Sequence, residues 1–202
     1  MIVPRPVMLT GAHVRLEPLT ADHVPALTAV GLDPAIWQWT VEIVRSAAEM
    51  RAYVDRALAA QVAGTALPFA VIDRSTGAAI GSTRYGTIAV EHGRLEIGWT
   101  WYAPAWQRTA VNTECKRLLL AHAFDTLACE RVEFKTDALN VRSRAALRRI
   151  GAQEEGTLRG HTVTAAGRRR DTVYYGILRA DWPAVRAGLE ELLARSRDRR
   201  ID

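Results

Sequence analysis

Trp101–Leu127 reads WYAPAWQRTAVNTECKRLLLAHAFDTL, and this stretch decides the fold. It opens as the end of a strand, breaks at Pro104 and continues as one long helix. Leu118, Leu119, Ala123, Phe124 and Leu127 recur at helical spacing, so one face of that helix packs on a core. Its first turn, around Arg108 to Thr113, presents backbone N–H groups without intrahelical acceptors at the positive end of the helix dipole. A helix N-terminus directly after a strand is a natural anion site.

The elements on either side set the architecture. Upstream, Leu67–Asp73, Ala79–Val90 and Arg94–Tyr102 read as three strands of an antiparallel meander, with a turn signal at Ser75-Thr76-Gly77. Gly81 and Gly86 suit a bulge or a close backbone approach. Arg94–Tyr102 alternates: Leu95, Ile97, Trp99 and Trp101 are expected on one face, and Arg94, Glu96, Gly98, Thr100 and Tyr102 on the other. Downstream, Arg131–Thr136 alternates with Val132 and Phe134 inward. Strand, helix and strand at this spacing predict a parallel crossover.

Nearer the N-terminus, His13–Leu19 reads as a strand and Thr20 caps a helix to about Val30. Ser46-Ala47-Ala48-Glu49 is a capping-box pattern ahead of a helix over 47–62, whose stripe is Met50, Tyr53, Val54, Ala57 and Leu58. Between these helices, Trp37 and Trp39 are read as covering the core, with lining of a substrate cleft as the alternative. Asn140 caps a helix over Val141–Ile150 that Gly151 ends, and Ser143, Ala146, Leu147 and Ile150 share one face of it. Glu155–Val163 and Asp171–Leu178 form a last hairpin. A helix from Trp182 to about Ala194 and a charged tail from Ser196 close the chain.

The reading is one α/β (α+β) domain over 1–202: a core over 13–182, then a C-terminal helix and tail over 183–202. The sheet has about seven strands, mixed but mostly antiparallel, with a central parallel pair and flanking helices. Ligands favour the carboxyl ends of strands where a sheet splits or reverses.

Composition narrows the function. The chain has 202 residues and a net charge of +5. Residues 1–100 carry 8 basic and 9 acidic side chains, and residues 101–202 carry 19 and 13, so the basic excess lies with the central helix. It lacks interleaved aromatics and does not point to nucleic acid. Arg168-Arg169-Arg170 reads as a solvated hairpin turn. Cys115 and Cys129 form no CxxC pair, and the five histidines match no zinc spacing, so no metal site is expected. Prolines interrupt MIVPRPVML where a signal peptide needs an unbroken apolar core, and no run is long enough to span a membrane; the expected location is the cytoplasm. No GxGxxG, GxxxxGK[ST] or GxSxG motif is present.

The series YAPAWQ, TAVNTECKRLLLAHAFDTL, RVEFKTDALN and NVRSRAALRRIGAQEEGTLRG resembles the GNAT superfamily of N-acetyltransferases over roughly His13–Trp182. The match is closest to the branch containing the bacterial ribosomal-protein N-terminal acetyltransferases. Asn140, Ser143, Gly151-Ala152 and Glu155-Gly156 carry it most specifically. The resemblance implies that the chain binds acetyl coenzyme A between two parting parallel strands and acetylates a primary amine, a protein N-terminus or a small molecule. The family's pyrophosphate loop, R/Q-x-x-G-x-G/A, falls on Ala105-Trp106-Gln107-Arg108-Thr109-Ala110, and neither glycine is present. The implied cofactor set is Gln107, Arg108, Thr109, Ala110, Val111, Asn112 and Thr113, with Asn140 on the pantetheine arm. Where many relatives carry a tyrosine acid this chain has Leu147, and Ser143 matches the serine acid of the ribosomal branch. Glu96 is the implied base and His161 the second candidate. A backbone N–H near Trp99 or Thr100 is implied for the acetyl carbonyl, and the hairpin at Arg168-Arg169-Arg170 is implied to border the substrate, which leaves an acidic acceptor as an alternative to a merely solvated turn. The alternative function is a non-catalytic acyl-CoA-binding or regulatory protein with a degenerate loop. A monomer or homodimer is expected.

Overall fold

The computed structural model describes residues 4–198, with side chains described through 195. The sheet has eight strands: β1 (Leu9–Thr10), β2 (Val14–Pro18), β3 (Leu67–Asp73), β4 (Ala79–Ala89), β5 (Arg94–Tyr102), β6 (Arg131–Asp137), β7 (Gln153–Val163) and β8 (Arg169–Leu178). Their order is β1-β2-β3-β4-β5-β6-β8-β7. Only β5 and β6 run parallel; every other neighbouring pair is antiparallel. The strand beyond the expected seven is β1, whose two residues are too short to show a period.

The helices are α1 (Val24–Gly31), α2 (Pro34–Trp37), α3 (Ala47–Val62), α4 (Ala110–Ala121), α5 (Val141–Arg149) and α6 (Trp182–Asp198). Local chemistry sets their starts. Ser46 Oγ accepts the Glu49 amide at 3.2 Å, and the Glu49 carboxylate reaches back to the Arg45 amide at 2.5 Å. The α6 backbone runs past the expected end at Ala194, so the predicted tail starts helical; residues 199–202 lie outside the described residues. At its C-terminus α4 widens into a π turn over His122–Thr126.

Two cores flank the sheet. On one face Leu118, Leu119 and Phe124 pack with Leu95, Ile97, Val132, Phe134, Leu147 of α5 and Leu189 of α6. On the other, α1 to α3 bring Leu27, Trp37, Met50, Tyr53 and Val54 over Ala70, Ile72 and Trp101. Trp37 is therefore a core residue, and its indole N–H donates to the Gly31 carbonyl at 2.8 Å. At roughly 1.5–3 kcal/mol per buried large side chain, these clusters dominate the stability.

The alternation expected along β5 breaks in its second half. Arg84 pairs with Gly98 and Ser82 with Trp101, so Thr83 on β4 faces two residues, Trp99 and Thr100. Trp99 takes φ +50° at this bulge. The extra residue turns Trp101 onto the face of α3, 5.5 Å from the Trp37 ring, while Tyr102 joins Leu95 and Ile97 on the face of α4. Trp99 itself is 38% exposed. Gly86 makes room for it, since a Cβ there would lie 2.3 Å from the Trp99 ring.

Candidate active site

The parallel pair β5 and β6 is joined only across Arg94–Arg131, Leu95–Val132 and Glu96–Glu133. Beyond Glu96 the bulge bends β5 away, and the two strands part.

At the mouth of this opening stands the start of α4. A short turn over Pro104–Trp106 leads to Gln107, then to Arg108 at φ +63°. That left-handed conformation favours glycine and costs a residue with a side chain about 1 kcal/mol or more. The loop therefore keeps the backbone path expected of a glycine at this place and carries a guanidinium on it. Thr109 caps the helix: its hydroxyl donates to the Trp106 carbonyl at 2.8 Å and accepts the Val111 amide at 3.3 Å. The first-turn amides of Ala110 and Asn112 have no intrahelical acceptor. Asn112 Oδ1 accepts from the Tyr102 hydroxyl at 3.2 Å, and Val111 and Thr113 are buried, Thr113 accepting from Arg149 at 3.2 Å. Gln107 donates to the Tyr102 carbonyl at 3.1 Å and accepts from Arg142 at 2.7 Å, which ties the loop to the start of α5.

The second wall is α5. Asn140 Oδ1 accepts the Ser143 amide at 3.0 Å, as an N-cap should, and its amide nitrogen is left over. Ser143 is partly buried, and its hydroxyl makes no hydrogen bond within the protein.

Glu96 lies on the opposite face of the sheet, 6% exposed. Its Oε2 accepts from Lys135 Nζ at 2.8 Å and from the Thr87 hydroxyl at 3.0 Å, so Oε1 is the oxygen without a partner. Gly98 is required beside it, because a Cβ there would sit 2.8 Å from Oε1. Burial works against the charge on Lys135, but the bond to Glu96 and the negative charges around it together raise the lysine pKa. His161 is exposed on β7 and meets Tyr174 edge-on at 5.8 Å; Lys135 covers the same Tyr174 ring at 5.2 Å. His161 is thus linked to Glu96 only through Tyr174 and Lys135.

Two expectations about arginines and aromatics change. Arg168 is not a freely solvated turn residue: it pairs with the buried Asp137 at the end of β6 and stacks on Trp39 at 5.8 Å. Arg170 is 9% exposed. The β7–β8 hairpin and the segment after α2 thereby meet above the opening, and Trp39 is rim, not core.

Lys116 is the residue that sequence reasoning passed over. It is 5% exposed, donates to Thr100 Oγ1 at 3.2 Å and lies 5.4 Å from the Phe134 ring centroid. Thr100 belongs to β5 and Phe134 to β6, so the lysine spans the floor of the gap. Burial lowers its pKa from 10.5 to about 8. A lysine beside the stripe of an amphipathic helix normally faces water. Here Glu114 on the same helix also turns inward, its carboxylate accepting the amides of Ala12, His13 and Val14 at 2.6–2.8 Å. Consecutive polar residues in a helix covered on nearly every side were the available signal.

Residues 13–153 match the acetyltransferase (GNAT) domain model. The chain belongs to the GNAT acetyltransferase family. YdaF of Bacillus subtilis, named provisionally as a ribosomal N-acetyltransferase, is 35% identical over 44% of this chain; the match spans 48% of YdaF, about half its length. The crystal structure of a GCN5-related N-acetyltransferase from Brucella melitensis is 32% identical, with TM-score 0.87 over 95% of this chain and 87% of that one. Mycobacterium smegmatis RimJ, solved in complex with CoA-disulfide, shares the fold at TM-score 0.81 and 21% identity, over 95% of this chain and 96% of RimJ. The name of YdaF agrees with the branch read from Asn140, Ser143 and Glu155-Gly156. Among the described residues no helix is long and apolar enough to cross a membrane, and no cluster of three His, Cys, Asp or Glu could hold a metal.

Proposed function

We propose that the chain is an acetyl-CoA-dependent N-acetyltransferase that transfers acetyl directly to a primary amine in a ternary complex. The observation that carries this reading is the parting of β5 and β6 beyond Glu96, with an anion-seeking helix start at one end of the gap. When bound, acetyl-CoA supplies the acetyl group as an activated thioester.

The residues divide the work by face. On the face of α4 and α5, the Ala110 and Asn112 amides and the Arg108 guanidinium hold the pyrophosphate. Gln107, Thr109, Val111 and Thr113 fix the loop and first turn that present them. Asn140 offers its amide nitrogen to the pantetheine arm. A backbone N–H of Trp99 or Thr100, in the bulge, holds the acetyl carbonyl oxygen as it gains charge. On the other face, Glu96 Oε1 takes the proton that the acceptor amine loses, directly or through a water, while Lys135 and Thr87 keep the carboxylate in place. Ser143 gives its hydroxyl proton to the departing sulfur and recovers one from solvent. Lys116 brings a positive charge to the floor of the gap, where negative charge develops.

Calorimetry with acetyl-CoA, followed by thiol release over an amine panel, tests the reading. Saturable binding and acceptor-dependent thiol release are expected. Binding without thiol release would favour the non-catalytic acyl-CoA-binding alternative, and no binding would remove both.

A further inference from the structure

The buried polar atoms without partners are concentrated on the acceptor-side face. Among the described residues they include Arg84 Nε and Nη2, Arg170 Nε, Thr172 Oγ1 and Thr162 Oγ1. Along β8, Val173, Tyr175 and Ile177 face the α4 core, so Arg170, Thr172 and Tyr174 point to the opposite face, the side of Lys135 and Glu96. Arg84 reaches the same side from β4, beside Gly98 and the bulge. Helices α1 to α3 pack on this face over β2 to β5, and none of their core contacts reaches β6 or β8, where Asp137, Arg170 and Thr172 are nonetheless buried.

Arg84 is 5% exposed, and its guanidinium makes no hydrogen bond or ion pair. It is held between rings, 5.0 Å from the centroid of Tyr53 and 5.0 Å from that of Trp99. Its neighbours do not neutralise it. Glu96 is matched by Lys135, Asp137 by Arg168, and the pair Glu133 and Glu155 by Arg94 and Arg131. Arg84 is left without an acidic partner, and Arg170 shares Asp137 and Glu96 with Arg168 and Lys135, so the face keeps an excess of buried positive charge. Buried polar groups are nearly always bonded, and a buried charge is nearly always paired. The unpaired groups here are N–H and O–H donors, so the missing partner is rich in acceptor oxygens.

We propose that Arg84, beside the bulge, is a carboxylate partner for the acceptor, that Arg170 adds positive charge to the same face, and that the acceptor is an amine carrying its own carboxylate. The proposal rests on the N-acetyltransferase reading. The planar edge of a guanidinium stacked between two rings suits the two oxygens of a carboxylate, bound side by side. Arg84 pairs across from Gly98, and Gly98 lies against Glu96 Oε1, so the amine of such a substrate reaches the base while its carboxylate meets Arg84.

The test compares acids with their isosteric amides as acceptors: free ω-amino acids against ω-amino amides, and peptides with glutamate at the second position against glutamine. A phosphate-bearing amine, phosphoethanolamine, is a third arm. In the wild type, kcat/KM for the acids should exceed that for the amides by tenfold or more. Whichever acid series shows the larger ratio tells a free small molecule from a peptide N-terminus. Arg84→Gln and Arg170→Gln should each bring the ratio towards one, and Arg84→Lys should keep part of it. Equal wild-type rates with acids and amides overturn the subsite while leaving acetyl transfer intact. So does an Arg84→Gln variant that slows acids and amides alike, which would mark Arg84 as a spacer between Tyr53 and Trp99. Preference for the phosphate over every carboxylate overturns the carboxylate assignment. Thiol release with none of these amines, despite cofactor binding, overturns the acetyltransferase reading and the subsite together.

Discussion

Replacing Lys116 with methionine should stabilise the protein at neutral pH and lose that advantage in alkali. Burial lowers the lysine pKa from 10.5 to about 8. One factor of ten in proton affinity corresponds to about 1.4 kcal/mol, so keeping the ammonium in this site costs about 3 kcal/mol relative to the unfolded chain. Methionine has a similar length and fills the same space against Phe134. It gives up the bond to Thr100 Oγ1, worth about 1 kcal/mol. The net expectation is a gain of about 2 kcal/mol at pH 7. The sign follows from proton counting. Below pH 8 both native and unfolded lysines are protonated, and the penalty is present in full. Between pH 8 and 10.5 the native lysine is neutral while the unfolded one still binds a proton, so wild-type stability rises relative to the variant. Near pH 10.5 the penalty is gone and only the lost hydrogen bond remains, in favour of the wild type. Urea unfolding of both proteins at pH 7 and pH 10 reads the difference directly, and groups common to both cancel. A variant less stable at pH 7, or a difference independent of pH, would refute the account of Lys116 as a costly buried cation.

Three further outcomes are expected. Ser143→Ala should lower kcat at least about tenfold with little change in acetyl-CoA affinity, by thiol-release kinetics and calorimetry; equal rates would remove Ser143 from the mechanism. Arg108→Ala and Arg108→Gly should both weaken CoA binding, by about 1–3 kcal/mol, if the guanidinium meets phosphate. The glycine variant should be the more stable of the two by about 1 kcal/mol, because alanine keeps the strain at φ +63°. Equal stability by thermal unfolding would contradict the left-handed assignment. Glu114→Gln should cost about 2 kcal/mol of stability, since its carboxylate takes three backbone amides of the β1–β2 turn; an unchanged denaturation midpoint would show that the turn holds without it.

The strands and helices were legible because their signals are local. Asn140 and Ser46 cap the helices that follow them, and a cap needs only a residue three places away. The stripe of Leu118, Leu119, Ala123 and Phe124 and the alternation of Val132 and Phe134 work the same way. The first half of β5 obeyed its alternation; the second half did not, because a bulge is set by the partner strand, and Thr83 is sixteen residues before Trp99. Part of the candidate site was readable too. Asn140 and Ser143 adjoin on one helix start, and Glu96 is buried where the strands part. Trp39 and Arg168 were misread separately, since neither shows alone that a hairpin tip will stack on a loop 129 positions upstream.

By itself the sequence determined the order of elements, the crossover through α4 and the helix starts. Each depends on hydrogen bonds and periodicities within a few residues. Only the tertiary structure decided which charges lose their water. Lys116 is desolvated by β5 and β6, and Arg84 is enclosed by Tyr53 and Trp99 from two other elements. Desolvation depends on what the rest of the chain places around a side chain, and no local pattern encodes it.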